Sequence, residues 1–284
     1  MITQLTSNNE NKNKNNKTEL FFSHKFYFMR HGETIYNSIK DKSAKYNPEY
    51  ADCHLSDKGI QQAKSKQNFL NKLDIEIIYV SPYYRAFETM KYALENHPNL
   101  ENIIVFVHPK IAELSGMMHE FIVDIKQTKK DFNMNSKIKV DWSIFDKYVE
   151  KLKYGQNFFF FDNWNLIEED KKMELFNKLN ELYQNGEINL YKKEVSKIME
   201  ERKKTGSKFE SYKHAYKRFT DFKNFLYDKH KDKINDKNKK IIAISHRLFI
   251  SIATSSCNYE SDDIKDVSSN CLLLENCEIA PFLF

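Results

Sequence analysis

Four short, nearly continuous apolar runs, at 26–29, 75–80, 103–107 and 241–244, constrain the fold of this chain more than any other feature. They lack the strict alternation of a strand with one wet face, so each reads as a strand covered on both sides, the pattern of a parallel sheet between helical layers. Helical patterns follow several of them. "LSDKGIQQAKSKQNFLNKL" has Ser56 in the N-cap position, and "SPYYRAFETMKYALEN" offers Ser81 as a cap with Pro82 at the first helical position. Between Phe209 and Leu226, the residues Tyr212, Tyr216, Phe219 and Phe222 recur at helical spacing, a stripe that belongs to a core. The predicted fold is α/β, a three-layer sandwich with a mostly parallel central sheet and helices on both faces. Its ligand site lies beyond the carboxyl ends of the strands.

A chain of 284 residues with 40% hydrophobic content is read as one elaborated domain over 21–284. The tail 1–20 contains "NNENKNKNNK", too polar to offset its own ordering entropy, and is expected to be disordered. "KDKINDKNKK" at 231–240 reads as a charged connector. From about 121 to 205 helical patterns replace the short apolar runs: Met173, Phe176, Leu179 and Tyr183 share a helical face, and Gly186 stands where that helix should stop. This helical insertion leaves the sheet and returns near the strand ends, which predicts a cap over the site. Within it, "KLKYGQNFFFFDNW" mixes aromatic groups with Lys151 and Lys153, which suits either a ring-bearing substrate or a small core of its own.

The net charge of +5 comes from lysines scattered over solvated faces, so no nucleic-acid partner is expected. No run approaches the roughly 18 apolar residues of a membrane span, and the N-terminus is polar where a signal peptide would be apolar. A cytoplasmic protein without a membrane partner is the expectation, and a homodimer stays open. Cys53, Cys257, Cys271 and Cys277 show no CxxC spacing and read as small buried hydrophobes. No histidine pair has metal-ligand spacing, so no metal is expected.

The strand ends carry the chemistry. The first delivers Arg30 and His31, the second is followed by Arg85 in a helix, the third by Glu113, and the fourth by Ser245, His246 and Arg247. Arginine forks match phosphate oxygens, and helix N-termini add backbone N–H groups, so this edge reads as a phosphate pocket. A neutral imidazole there can attack phosphorus, while a second donates to the equatorial oxygens as charge builds. Glu113, if desolvated, can hold the proton that the leaving alkoxide needs, a role typically worth about 10²–10⁴-fold in rate.

These residues give the chain a family resemblance. It resembles the histidine phosphatase superfamily in its phosphoglycerate-mutase-like branch, whose signature R-H-G-E-S/T-x-x-N stands here as Arg30, His31, Gly32, Glu33, Thr34 and Asn37. "LSDKGIQQA", "SPYYRAFET", "FESYKHAYKR" and "SHRLF" resemble further blocks in family order. The resemblance implies that His31 is the residue phosphorylated in turnover, that Arg30, Arg85 and His246 complete the phosphate pocket with Asn37 beside them, that Glu113 is the proton donor, and that no cofactor is needed. Glu210 and Ser211 stay open between ligand contact and support of a helix. Arg247 stays open between added charge at the pocket mouth and an outward salt bridge.

Departures from the family pattern bear on activity. Phe209 replaces a glycine and His214 a carboxylate. After Glu113, where cofactor-dependent mutases carry E-R-H-Y-G, Leu114, Ser115 and Met117 offer no charge for a second acidic group. The expected function is therefore a phosphomonoesterase that acts on a small phosphorylated metabolite or phosphopeptide through phosphohistidine. A phosphoglycerate mutase or sugar bisphosphatase using the same chemistry is the alternative. A catalytically quiet scaffold would need one of these groups to be missing, and none is.

Overall fold

The computed structural model describes residues 24–41, 46–114, 118–135, 137–206, 208–236, 238–255, 259 and 271–282. The Asn/Lys-rich tail, Ser115, Met117 and Cys257 lie outside the described residues. The first half runs β1 (Phe26–Arg30), α1 (Ile35–Ser38), α2 (Asp57–Lys64), α3 (Gln67–Leu70), β2 (Asp74–Val80), α4 (Tyr84–Leu94) and β3 (Ile104–Val107). The second half runs α5 (Ile125–Asn135), β4 (Val140–Asp141), α6 (Ser143–Val149), α7 (Glu169–Gln184), α8 (Ile188–Lys204), α9 (Tyr212–His230), β5 (Lys239–Ser245), α10 (Arg247–Ala253) and β6 (Ile279–Pro281).

The strands form one sheet in the order β4-β3-β2-β5-β1-β6. All pairs are parallel except β6, which runs antiparallel to β1. The four apolar runs are its central strands; β1, β2 and β5 are largely buried, while β3 is buried on one face only, with Ile104 exposed and Phe106 half-buried on the other. Two edge strands escaped the sequence reading because two and three residues are too short to show a period.

Alternation along the strands divides the core. Tyr27, Met29, Ile78, Val80, Ile242 and Ile244 face a layer that includes α4, with Ala63 of α2 and Phe145 of α6. Phe26, Phe28, Ile77, Tyr79, Ile241 and Ala243 face α9 and α10, where Phe219 and Phe222 of the predicted stripe are buried. The three-layer sandwich is the observed architecture. No helix among the described residues is long and apolar enough to cross a membrane.

Helix starts show where local signals hold and where they yield. Ser56 caps α2, accepting from the Gly59 N–H at 3.1 Å. Ser81 does not cap α4, which begins at Tyr84 with Tyr83 as its N-cap residue. The acceptor there is Asp52, from another loop, which takes the Tyr84 N–H at 3.0 Å. The Ser81 hydroxyl is instead turned onto His246, at 2.7 Å from Nε2. A tertiary demand at the strand edge has overridden a local capping preference.

The segment 121–205 has two parts. Its first, through α6, belongs to the main body: β4 pairs with β3, and Ile122, Ile125, Phe132, Trp142 and Phe145 join the sheet's core. The second carries the α7–α8 pair over a separate apolar cluster that includes Phe158, Phe160, Phe161, Trp164, Tyr191 and Phe209. Phe159, between these rings, turns into the sheet's core. The stretch containing Phe158–Phe161 is thus interior packing, while Lys153 turns away to an ion pair with Glu169. Gly186, at φ +74, follows the end of α7 as expected, a conformation that glycine adopts without strain. The α8 helix packs against 48–50 and 118–120, and the latter segment borders the site.

Candidate active site

Parallel pairing carries the functional residues to one edge. Arg30 is in register with Ser245, the His31 N–H donates to the Ser245 carbonyl at 3.0 Å, and the Ser81 N–H donates to Ile244 at 3.0 Å. The His31 and His246 rings consequently sit 5.1 Å apart between centroids. The loop after β1 is clamped to α2 at van der Waals distance. A Cβ at Gly59 would lie 1.9 Å from the Glu33 carbonyl oxygen, and one at Gly32 would lie 2.8 Å from the Gly59 oxygen, so neither position admits a side chain without displacing backbone. The Ser56 N–H holds the Glu33 carbonyl at 2.9 Å, and the Gly32 N–H is held by Thr89 Oγ1 at 2.9 Å.

His31 Nδ1 lies 2.7 Å from the Gly32 carbonyl oxygen, which only accepts, so Nδ1 carries the proton and Nε2 keeps its lone pair. Burial first, and then the charges of Arg85 and Arg30, hold this imidazole well below its ordinary pKa, so it is neutral. His246 is fully buried and likewise depressed by burial and by Arg85. Donation by the Ser81 hydroxyl, 2.7 Å from Nε2, places the proton of His246 on Nδ1, which is buried without a partner among the described residues.

Arg85 is fully buried and donates Nη1 to the His119 carbonyl at 2.6 Å. Its Nε and Nη2 have no partner among the described residues, nor has Arg30 Nε, while Arg30 Nη1 is anchored on the Leu274 carbonyl at 3.0 Å. The Tyr83 ring, 4.4 Å from the Arg85 guanidinium and edge-on to His246 at 5.1 Å, supports both groups. Three guanidinium N–H directions and one imidazole N–H are thus available to a tetrahedral anion.

Glu113 stands at the same edge. Its Oε1 accepts from the Leu114 and Phe249 N–H groups at 3.0 and 3.1 Å, and Oε2 accepts from Leu248 at 3.3 Å. Burial raises its pKa against these bonds and against Arg85. Its loop is fixed by Arg218, which donates Nη1 to the carbonyls of Lys110 and Ala112, both at 2.9 Å. Arg218 is held in turn by a bidentate pair with Glu210, at 2.7 and 2.9 Å.

The sequence-predicted residues Arg30, His31, Arg85, Glu113 and His246 are therefore brought together. Asn37 is exposed, and its Oδ1 accepts from the Thr34 N–H and hydroxyl in the capping of α1. Glu210 is a partner of Arg218 and of His214, and Ser211 caps α9 while bonding Asn165, so both serve support. Phe209, in place of the family glycine, packs on Trp164 at 4.3 Å and closes the apolar cluster under α7 and α8. Sequence reasoning missed the bond of Ser81 to His246 and the role of Tyr83, both inside the quoted "SPYYRAFET", and Arg218, whose role depends on two distant loops. It also missed Asp52, which caps the helix bearing Arg85 and whose carboxyl burial pushes up to about 7.

Residues 26–135 match the family model of the histidine phosphatase superfamily, branch 1. A probable phosphatase of Schizosaccharomyces pombe is 36% identical over 89 residues, which are 31% of this chain and 39% of that protein. The match thus spans about two fifths of the relative's length. Among solved structures, the ecdysone phosphate phosphatase of Bombix mori, in complex with tungstate, is similar at a TM-score of 0.44 and 14% identity, over 90% of this chain and 87% of that one. A phosphoglycerate mutase of Bacillus anthracis gives 0.40 and 16%, over 91% and 88%.

Because the folded pKa values of His31 and His246 are depressed, their contribution to stability is present above the unfolded value near 6.5 and is lost as pH falls below it. His31→Asn removes one such group. In phosphate-free denaturant titrations between about pH 6 and 5, its stability should fall less steeply than wild type, by about 1.4 kcal/mol per pH unit. Identical slopes would mean that His31 is not held neutral by the fold.

Proposed function

We propose that the protein is a phosphomonoesterase working through phosphohistidine on a small phosphorylated metabolite or a phosphopeptide. The observation that carries this reading is the set of buried guanidinium N–H groups of Arg30 and Arg85 without partners among the described residues, beside a neutral His31 whose Nε2 is unprotonated. Nε2 attacks phosphorus and the P–N bond forms as the ester P–O bond breaks. Arg30, Arg85 and the Nδ1–H of His246 hold the three equatorial oxygens as their charge grows. Protonated Glu113 gives its proton to the departing alkoxide. In the second half, the Glu113 carboxylate takes a proton from water as that water attacks phosphohistidine, which releases inorganic phosphate and regenerates both groups.

Brief incubation with a ³²P-labelled substrate and an alkaline quench should trap an acid-labile phosphoenzyme in wild type, since the P–N bond survives base, and none in His31→Ala. Full turnover by that variant would sink the assignment. Glu113→Gln keeps the shape and removes the proton, so turnover of an alkyl phosphate should fall at least about tenfold more than that of p-nitrophenyl phosphate, whose leaving group needs no acid. Equal losses would make Glu113 a positional residue only.

A further inference from the structure

Arg247 is the cation at this edge that the phosphoryl-transfer reading leaves unused. It directly follows His246, and the next two backbone N–H groups are both held by Glu113, so its Cα is fixed between two residues of the site. His246, Phe249 and Ile250 are buried, yet Arg247 is exposed. Among the described residues its guanidinium makes no ion pair or hydrogen bond, so the outward salt bridge left open by the sequence is not formed. Its charge acts on Arg30, which is depressed first by burial and then by Arg247. Because Arg30 is in register with Ser245, two residues before Arg247, both arginines stand at the same carboxyl edge of the sheet. Leu114, next to Glu113, packs with Phe249 beside Arg247 and brings no charge.

Resting on the phosphoryl-transfer reading, we propose that Arg247 is a specificity-determining residue that binds a second anionic group, a carboxylate or a further phosphate, on the alcohol portion of the substrate. An exposed arginine beside a like charge is unfavourable until an anion joins it, and its planar fork accepts either oxyanion in bidentate fashion. The charge absent after Glu113 is thus supplied by the residue that follows His246.

Three esters of equal chain length separate the possibilities: propyl phosphate, 3-(phosphonooxy)propanoate and propane-1,3-diyl bisphosphate. Wild type should prefer one or both of the anion-bearing esters, and which of them it prefers distinguishes carboxylate from phosphate. In Arg247→Ala the preference over propyl phosphate should fall about tenfold, through KM rather than kcat, with Arg247→Lys retaining part of it. Unchanged ratios would overturn the role of Arg247 and leave the phosphatase reading standing. If wild type hydrolyses none of the esters, that reading fails instead. Calorimetric binding of the same esters to His31→Ala, with and without Arg247→Ala, then still decides: a loss of affinity confined to the anion-bearing esters supports the proposal, and a loss common to all three, or none, contradicts it.

Discussion

The parallel register of β1 with β5 is the constraint on which the rest of the site depends. Because Arg30 pairs with Ser245, and the His31 N–H continues the ladder onto the Ser245 carbonyl, the two imidazoles leave adjacent strands at the same height. A slip of one residue would turn both side chains to opposite faces of the sheet and put Arg30 where His31 stands. The register is held by both cores at once, since Tyr27 and Met29 fill one face while Phe26 and Phe28 fill the other. The Gly32–Gly59 approach then fixes the loop beyond the strand, where the Nδ1 bond of His31 to Gly32 sets its tautomer.

Electrostatics follows from that placement. Burial first, and then the charge of Arg85 (for His31 also that of Arg30), disfavours imidazolium, so the edge is positive through its guanidiniums while His31 and His246 are neutral. The structure sustains this arrangement by holding the flanking groups firmly. Arg85 is fixed by the His119 carbonyl and the Tyr83 ring, and its helix is capped by Asp52. Glu113 receives three backbone N–H groups, and the buried Glu210–Arg218 pair ties α9 to the loop that carries it. Removing one member of such a buried pair leaves the other charge uncompensated, which is why Glu210 supports the site without touching it.

Much of this was legible in the sequence, for identifiable reasons. The central strands are short apolar runs, and the candidate residues lie at or shortly after their carboxyl ends, so strand order along the chain already places five groups at one edge. Ser81 was misread because its capping preference is local and its bond to His246 is not. Arg218 and Asp52 act through loops distant in sequence, a relation no spacing reveals. The four phenylalanines at 158–161 presented both core and ligand-facing readings, and only their burial, with Phe159 turned into one core and its neighbours into another, decides for the interior. The strands β4 and β6 are too short to announce themselves, and β4 shows that the first part of the apparent insertion completes the main sheet.

The most direct test of the account is a crystal structure of the protein with vanadate. The geometry calls for vanadium bonded to His31 Nε2, with its oxygens receiving N–H groups from Arg30 Nε, from Arg85 Nε and Nη2, and from His246 Nδ1. Glu113 should lie within hydrogen-bond reach of the apical oxygen opposite His31. Vanadate bound through another residue, or resting away from the two arginines with His31 unengaged, would contradict the assignment of this edge as the centre of phosphoryl transfer.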